Sequence, residues 1–478
     1  MISSGKTRWF GLAVLLAVQF MVVLDIAIVN VALPSIKTDL GFSQENLQWV
    51  ISAYALVFGG FLLLGGRMAD LVGRRRIFLL GLVVFTIGSL LCGLAWDEAS
   101  LIGFRAVQGL GAAIITPAAL SILTTTFQEG RERNIALGAW GAVGGFGAAA
   151  GVLMGGVLTD AFSWPWIFFV NVPVGVLAFV LTPLLLGESR DARAKNFDAL
   201  GAILVTGGLS VLVLGITQGN GWGWSSAQTI GTFIASAALL VGFVVWEQRA
   251  EDPLMRFGIL RTRTVLGSNI AGFILGTALF AMFLMLTLYM QQVLHYSPMK
   301  TGVAYLAVAG TSIIWANVAA MLVSRVGIKP LIVVGMLSLA LGMVLFAQVP
   351  VNGSYWTHLF PGFLIIAFGL ALCFVPISIG ALAGIKPSEA GLASGLINTS
   401  QQIGGAVGIA VLSTVATTRT EDAVASGTAV PDALVEGFQL AFWVGAAIAV
   451  VGALASFAFI RREELEAAAE GEPEPVPA

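Results

Sequence analysis

Charge is scarce in this chain. Only 10% of its 478 residues are Asp, Glu, Lys or Arg, against about 25% in a soluble domain. Histidine is scarcer still. His295 and His358 are the only two, both at the ends of apolar runs, so no zinc site can be assembled from them. The two cysteines, Cys92 and Cys373, lie inside apolar runs and read as small buried hydrophobes rather than as a disulfide or metal ligands. No HExxH helix, Ser/His/Asp constellation or phosphate-cradling Gly-rich loop with its Lys is present, which argues against an enzyme and against nucleotide-driven pumping. A net charge of -2 leaves no broad basic surface for nucleic acid.

Apolar residues are what the chain has in excess. They make up 58% of it, with a mean hydropathy of +0.93. No water-soluble core of this size hides so much apolar surface. The bilayer is the solvent that stabilises such a composition, and a helix needs roughly 20 apolar residues to cross it. Continuous runs, rather than alternating ones, select helices over a barrel. Fourteen runs are expected as spans, near 9–33, 46–66, 77–96, 99–126, 134–158, 165–187, 199–217, 227–247, 265–292, 301–323, 330–348, 357–382, 391–417 and 437–460. The first is too long for a signal-peptide core and reads as a retained span.

An even number of spans puts both termini on one side. If that side is cytoplasmic, twenty of the 24 Lys and Arg fall inside and three outside, with Arg105 within a span. That obeys the positive-inside rule, so a multi-pass protein of the plasma (inner) membrane with cytoplasmic termini is expected. The stretch 418–432 is polar and reads as an outer loop. The acidic, Pro-containing tail 461–478 reads as disordered.

Two faint repeats bear on organisation. The fourth span, GFRAVQGLGAAIITP, and the twelfth, GFLIIAFGLALCFVP, both run from Gly-Phe to Pro over the same interval. The loop MADLVGRRR after the second span has a worn counterpart, LVSRVGIKP, after the tenth. An offset of eight spans predicts two six-helix bundles, 1–187 and 264–460, joined by two extra helices within 188–263.

Charges inside the membrane are costly and usually functional or paired. Asp25 lies deep in the first span. Its functional reading is a proton carrier, because a carboxylate in low-dielectric surroundings can load and release a proton. The alternative is a structural acid bonded to neighbouring helices. Arg105 in the fourth span either tunes Asp25 or a substrate, ties helices together, or snorkels to the interface. Gln19 and Asn30 share a face of the first span, about 20° apart on a helical wheel. Asn398, Gln401 and Gln402 follow helical spacing in the thirteenth span, and Gln291 and Asn317 are further polar candidates. Met282, Tyr289 and Tyr54 add adaptable or aromatic surface for an apolar ligand. Gly147, Gly151 and Gly155 recur every four residues, as do Gly404 and Gly408, which lets helices approach closely.

The residues 9–461 resemble the fourteen-span drug:proton antiporters of the major facilitator superfamily. The segment GGRMADLVGRRR (65–76) is similar to the superfamily signature between the second and third spans, where the resemblance implies a cytoplasmic gate of Gly66, Asp70, Gly73, Arg74 and Arg75. LDIAIVNVALP (24–34) and FRAVQGLGAA (104–113) resemble the first- and fourth-span motifs, which places Asp25 and Arg105 at their acid and arginine. NVPVG (171–175) and GLASGLINTSQQIGGAVGIAV (391–411) also resemble this subfamily. Val152 stands where its fifth-span proline is usual, Pro165 where an arginine is, Gln401 where an arginine is frequent, and Ala27 where a threonine is. The resemblance implies an all-α major facilitator fold. It also implies a monomer that exports small hydrophobic or amphipathic compounds, driven by protons without a cofactor. An uptake symporter, or a carrier of lipid-like substrates, is the alternative on the same fold.

Overall fold

The computed structural model of the chain describes residues 5–43, 46–127, 131–189, 198–250, 253, 257–383, 385 and 390–461. The expected acidic tail beyond Arg461 and most of the 188–198 linker lie outside these residues. Among the described residues every regular element is a helix. In hydrocarbon this is what backbone hydrogen bonding demands, since no water is there to satisfy an open edge.

The chain divides into two compact units. One comprises Met1–Leu254 with Met290–Leu306, the other Met255–Tyr289 with Ala307–Ala478. The first holds α1 (Gly5–Leu40), α2 (Trp49–Val72), α3 (Arg74–Gly93), α4 (Glu98–Thr126), α5 (Arg131–Ala161), α6 (Trp166–Phe169), α7 (Asn171–Leu185), α8 (Ala199–Trp222) and α9 (Ala227–Glu247). Next comes α10 (Arg263–Leu288), whose last turn widens into a π turn over Tyr289–Val293. It is followed by α11 (Pro298–Val326), α12 (Ile328–Phe346), α13 (Phe360–Gly380), α14 (Ala390–Ala425) and α15 (Val430–Phe459). Among the described residues eleven spans are long and apolar enough to cross a membrane, α6 and α7 counting as one. With α2, α5 and α14 they make fourteen, as the apolar runs predict. One loop reading differs. Residues 418–425, read as loop from their polarity, continue α14. Polarity excludes a segment from lipid, but it does not stop a helix from extending into water.

Within the first unit α1 lies along α5, and both α2 and α3 lie along α4. Glycine sets the first of these approaches. A Cβ at Gly151 would stand 2.7 Å from the Leu24 carbonyl oxygen, and one at Gly155 would stand 2.6 Å from that of Ile28. Within the second unit α10 lies along α14 and α12 along α13. There a Cβ at Gly276 would overlap the Gln401 carbonyl, and one at Gly404 would overlap that of Phe273. Small residues in register let the backbones meet, and dispersion then holds the helices without help from water.

The extra pair α8–α9 belongs with the first unit. Ser236 Oγ donates to the Gly208 carbonyl at 2.8 Å, joining α9 to α8. Gln48 Nε2 reaches Thr217 Oγ1 at 3.1 Å, joining α8 to the start of α2. Asp198 caps α8 through the Gly201 N–H and also accepts Trp246 Nε1 at 2.7 Å from the end of α9. At the start of α4, Asp97 and Ser100 form a reciprocal capping box. The backbone N–H of Ser100, followed by its side chain, holds the exposed Asp97 carboxyl below the usual carboxylate range.

Candidate functional site

The first unit encloses a charge cluster built from five of its spans, α1, α2, α3, α4 and the broken span α6–α7. Asp25 on α1 is fully buried and Arg105 on α4 is 1% exposed. Arg105 Nη1 donates to Asp25 Oδ2 at 2.7 Å. Gln108, one turn further along α4, donates from Nε2 to Asp25 Oδ1 at 2.8 Å. Asn171, the first residue of α7, donates from Nδ2 to the same Oδ1 at 2.8 Å. The carboxylate therefore receives three donors, which is how a buried charge is made tolerable.

Arg105 is held as tightly. Its Nε donates to the Val50 carbonyl at 2.9 Å, and its Nη1 also reaches Gln108 Oε1 at 2.7 Å. Its guanidinium lies 4.3 Å from the centroid of the Tyr54 ring and 5.6 Å from that of Phe168. A planar fork with five donors suits this set of acceptors and the aromatic faces; a lysine ammonium would not. Of the roles open to Arg105 on sequence grounds, snorkelling is thus excluded and an interhelical tie is observed. Further out, Asn171 Nδ2 donates to Ser89 Oγ at 3.0 Å, and Ser89 Oγ donates to the Phe168 carbonyl at 2.8 Å. The Cys92 thiol points at Gln108 Oε1, 3.6 Å away.

Local sequence explains the placement of Asn171. Pro165 opens α6 and Pro173 lies in the first turn of α7, and each removes a backbone donor. Span six is therefore broken at Val170, beside Asn171. Sequence reasoning passed over Gln108, Asn171 and Ser89 as participants. A signal for Gln108 existed, because it follows Arg105 by three residues and so shares its face. Ser89 had none, since its role depends on which helix packs against α3.

The gate residues lie at the α2–α3 junction. Gly73 ends α2 and starts α3 at φ 128°, ψ 128°, a region that side chains avoid. A Cβ there would also stand 2.8 Å from Glu188 Oε1. Glu188, just past α7, accepts the Arg75 N–H at 3.1 Å, and its Oε2 lies 3.8 Å from Arg75 Nε and 3.7 Å from Arg76 Nε. Arg75 Nη1 donates to the Leu186 carbonyl at 3.1 Å, and Arg74 N–H to that of Ser189 at 2.8 Å. The acid thus sits on the first turn of α3, where the helix dipole favours it. Asp70 lies on α2, and its side chain is outside the described residues. α2 approaches α4 closely at Gly65, where a Cβ would overlap the Ala113 carbonyl. At Gly66 a Cβ would meet Pro117 at 3.4 Å, an ordinary contact.

Gly73→Ala is expected to cost about 1–3 kcal/mol, the range for a residue forced into a sparse backbone region. The thermal midpoint of the detergent-purified protein should fall. Gly231→Ala, inside α9 where a Cβ meets nothing within 4 Å, should not lower it and serves as the control.

The remaining candidates are dispersed. Asn30 is buried and bonds its own helix at the Ile26 carbonyl, 3.2 Å away, and its Oδ1 has no hydrogen-bond partner among the described residues. The same holds for the buried Gln19 Oε1 and Tyr54 hydroxyl among those residues. Gln291 Nε2 donates to the Val31 carbonyl at 2.8 Å within the first unit. In the second unit Met282 and Tyr289 are buried, and the Tyr289 hydroxyl donates to the Pro350 carbonyl at 2.7 Å. Gln402 is buried, Gln401 half-buried and Asn398 exposed. The Asn317 side chain is outside the described residues. Among the described residues no group of three or more His, Cys, Asp and Glu is placed to hold a metal ion.

The sequence profile of the Major Facilitator Superfamily matches residues 15–409. The chain is 42% identical to the puromycin resistance protein of Streptomyces alboniger over 446 residues, covering 93% of this chain and 88% of that protein. It is 38% identical to the cephamycin export protein of Amycolatopsis lactamdurans, covering 86% of each. Among solved structures, the fold is similar to a bacterial homologue of the human lysosomal transporter Spinster, with TM-score 0.69, 16% identity and 99% and 100% coverage. It is equally similar to the peptide transporter POT in complex with sulfate, with TM-score 0.69, 17% identity and 95% of each chain covered.

Proposed function

The chain belongs to the major facilitator superfamily, and from that premise we propose that it exports small hydrophobic or amphipathic compounds in exchange for protons. It is a multi-pass membrane transport protein rather than an enzyme. Its relatives named for puromycin resistance and cephamycin export support antibiotics as the substrate class. One observation carries the proton coupling, namely the fully buried Asp25 bonded to Arg105, Gln108 and Asn171. A carboxylate this deep in an apolar bundle is costly unless it works, and exchange of its proton is the work its position suits. Arg105 neutralises it in the ionised state. On this reading the proton gradient is the sole energy source, no cofactor is used, a monomer suffices, and both termini are cytoplasmic in the inner membrane.

The test is puromycin accumulation in inverted membrane vesicles energised with an acidic interior. Uptake that collapses when a protonophore is added is the expected result. Transport that ignores the protonophore overturns the coupling. Proton-driven movement in the opposite direction overturns export and makes the protein an uptake symporter.

A further inference from the structure

The bonds around Asp25 have a fixed direction. Asn171 Nδ2 gives one hydrogen to Asp25 Oδ1 and the other to Ser89 Oγ. Ser89 accepts because its own hydrogen goes to the Phe168 carbonyl. A carboxylate only accepts, so the ionised form of Asp25 suits this chain of donors from end to end.

A protonated Asp25 does not suit it. Oδ2 faces the Arg105 guanidinium, so an added proton belongs on Oδ1, which faces two amide donors, Gln108 Nε2 and Asn171 Nδ2. One amide has to turn. Gln108 is pinned, since its Oε1 already accepts from Arg105 Nη1, and turning it would set an amide donor against the guanidinium. Asn171 is not pinned, because its other neighbour is a hydroxyl that can donate as well as accept. Turned over, Asn171 offers its Oδ1 to the Asp25 O–H and to the Ser89 O–H together. Ser89 then withdraws from the Phe168 carbonyl. One proton adds to Asp25, and no covalent bond is otherwise made or broken. Phe168 lies in α6, two residues before the break at Val170.

We propose that Asn171 is a positioning residue that reads the protonation state of Asp25 and passes it through Ser89 to the α6–α7 break in span six. The proposal rests on the reading of Asp25 as the proton carrier. Among the described residues the titratable groups around Asp25 are Arg105 on α4, which bonds it, Tyr54 on α2, against the Arg105 guanidinium, and Cys92 on α3, against Gln108. The residues of α6 and α7, Trp166–Leu185, include none, and neither do Gly147, Gly151 and Gly155 of α5.

The test uses the full chain in lipid nanodiscs without substrate. Infrared difference spectra, with the Asp25 carboxyl band identified by its loss in Asp25→Asn, give the pH at which Asp25 changes state. Hydrogen exchange over residues 166–172, corrected for intrinsic rates, is then measured on either side of that pH. In the unaltered protein, protonation should speed exchange about fivefold, the worth of one hydrogen bond in a local opening equilibrium. Two variants should move in opposite directions. Ser89→Ala deletes the donor to Phe168 and should exchange fast at both pH values. Asn171→Leu leaves Ser89 committed to Phe168 and should exchange slowly at both. A merely structural role for these side chains would make both variants fast, and that result overturns the proposal. So does an unaltered protein whose exchange ignores the titration of Asp25, while Asp25 itself remains a proton carrier. If no carboxyl band changes at any pH the protein tolerates, the carrier reading fails and the relay with it. Should Asn171→Leu not fold, the unaltered protein and Ser89→Ala decide the matter.

Discussion

Asp25→Asn is expected to bring proton-driven antiport down to the level of protein-free liposomes. The substitution keeps the shape of the side chain and removes its capacity to carry a proton together with the negative charge that faces Arg105. Its amide oxygen can still accept from Gln108 or Asn171, and Arg105 keeps the Val50 carbonyl, Gln108 Oε1 and the face of Tyr54. The variant should therefore fold and still reach the membrane. Exchange of labelled for unlabelled puromycin across a membrane without a gradient should survive, because it needs the substrate path and no net proton movement. Loss of gradient-driven transport with retention of exchange isolates the coupling step. Unchanged antiport would remove Asp25 from the mechanism altogether, since a proton carrier that cannot bind a proton cannot couple.

Arg105→Met is expected to do more damage, to stability as well as to transport. Removing one partner of a buried ion pair leaves the other uncompensated, at a cost of about 3–5 kcal/mol. Here it also orphans the Val50 carbonyl and breaks the tie to Gln108. The thermal midpoint in detergent should fall below that of Asp25→Asn, which also unpairs a buried charge but leaves Arg105 its bonds to Val50 and Gln108 and the face of Tyr54. The double variant Asp25→Asn, Arg105→Met should recover much of the lost stability and none of the transport, because a neutral pair in the same space needs no counter-charge. Arg105→Lys should rescue neither fully, because one ammonium cannot span Val50, Asp25 and Gln108 at once. A double variant as unstable as Arg105→Met would show that the guanidinium contributes through packing on Tyr54 and Phe168 rather than through charge.

How much of this was legible without coordinates differs by feature. The span count was, because a bilayer requires long apolar helices and the runs are unbroken. So was Asp25, conspicuous as a lone acid deep in such a run, and so was Arg105. The seam glycines at 147, 151 and 155 were legible from spacing; α1 meets Gly147 with the Val23 side chain, and Gly151 and Gly155 with the Leu24 and Ile28 carbonyls. The helical character of 418–425 was not, because a helix outside the lipid carries no hydropathy signal. Glu188 was not either. In sequence it is one acid in a charged linker, and only the path of the chain after α7 sets it on the first turn of α3.

The sequence by itself determined the solvent of this protein, its helical class, its family resemblance, and the two charges that had to find shelter. Composition and periodicity are local properties, and the cost of a charge in hydrocarbon is large enough to single out one residue. Only the tertiary structure decided what shelters those charges. Gln108, Asn171, Ser89 and Tyr54 are ordinary polar or aromatic residues when read along the chain. They become a network because α2, α4 and α7 meet α1 while α3 packs against α4 and α7. Hydrogen bonds of 2.7–3.0 Å form between side chains as many as 146 residues apart, and no linear pattern encodes that meeting.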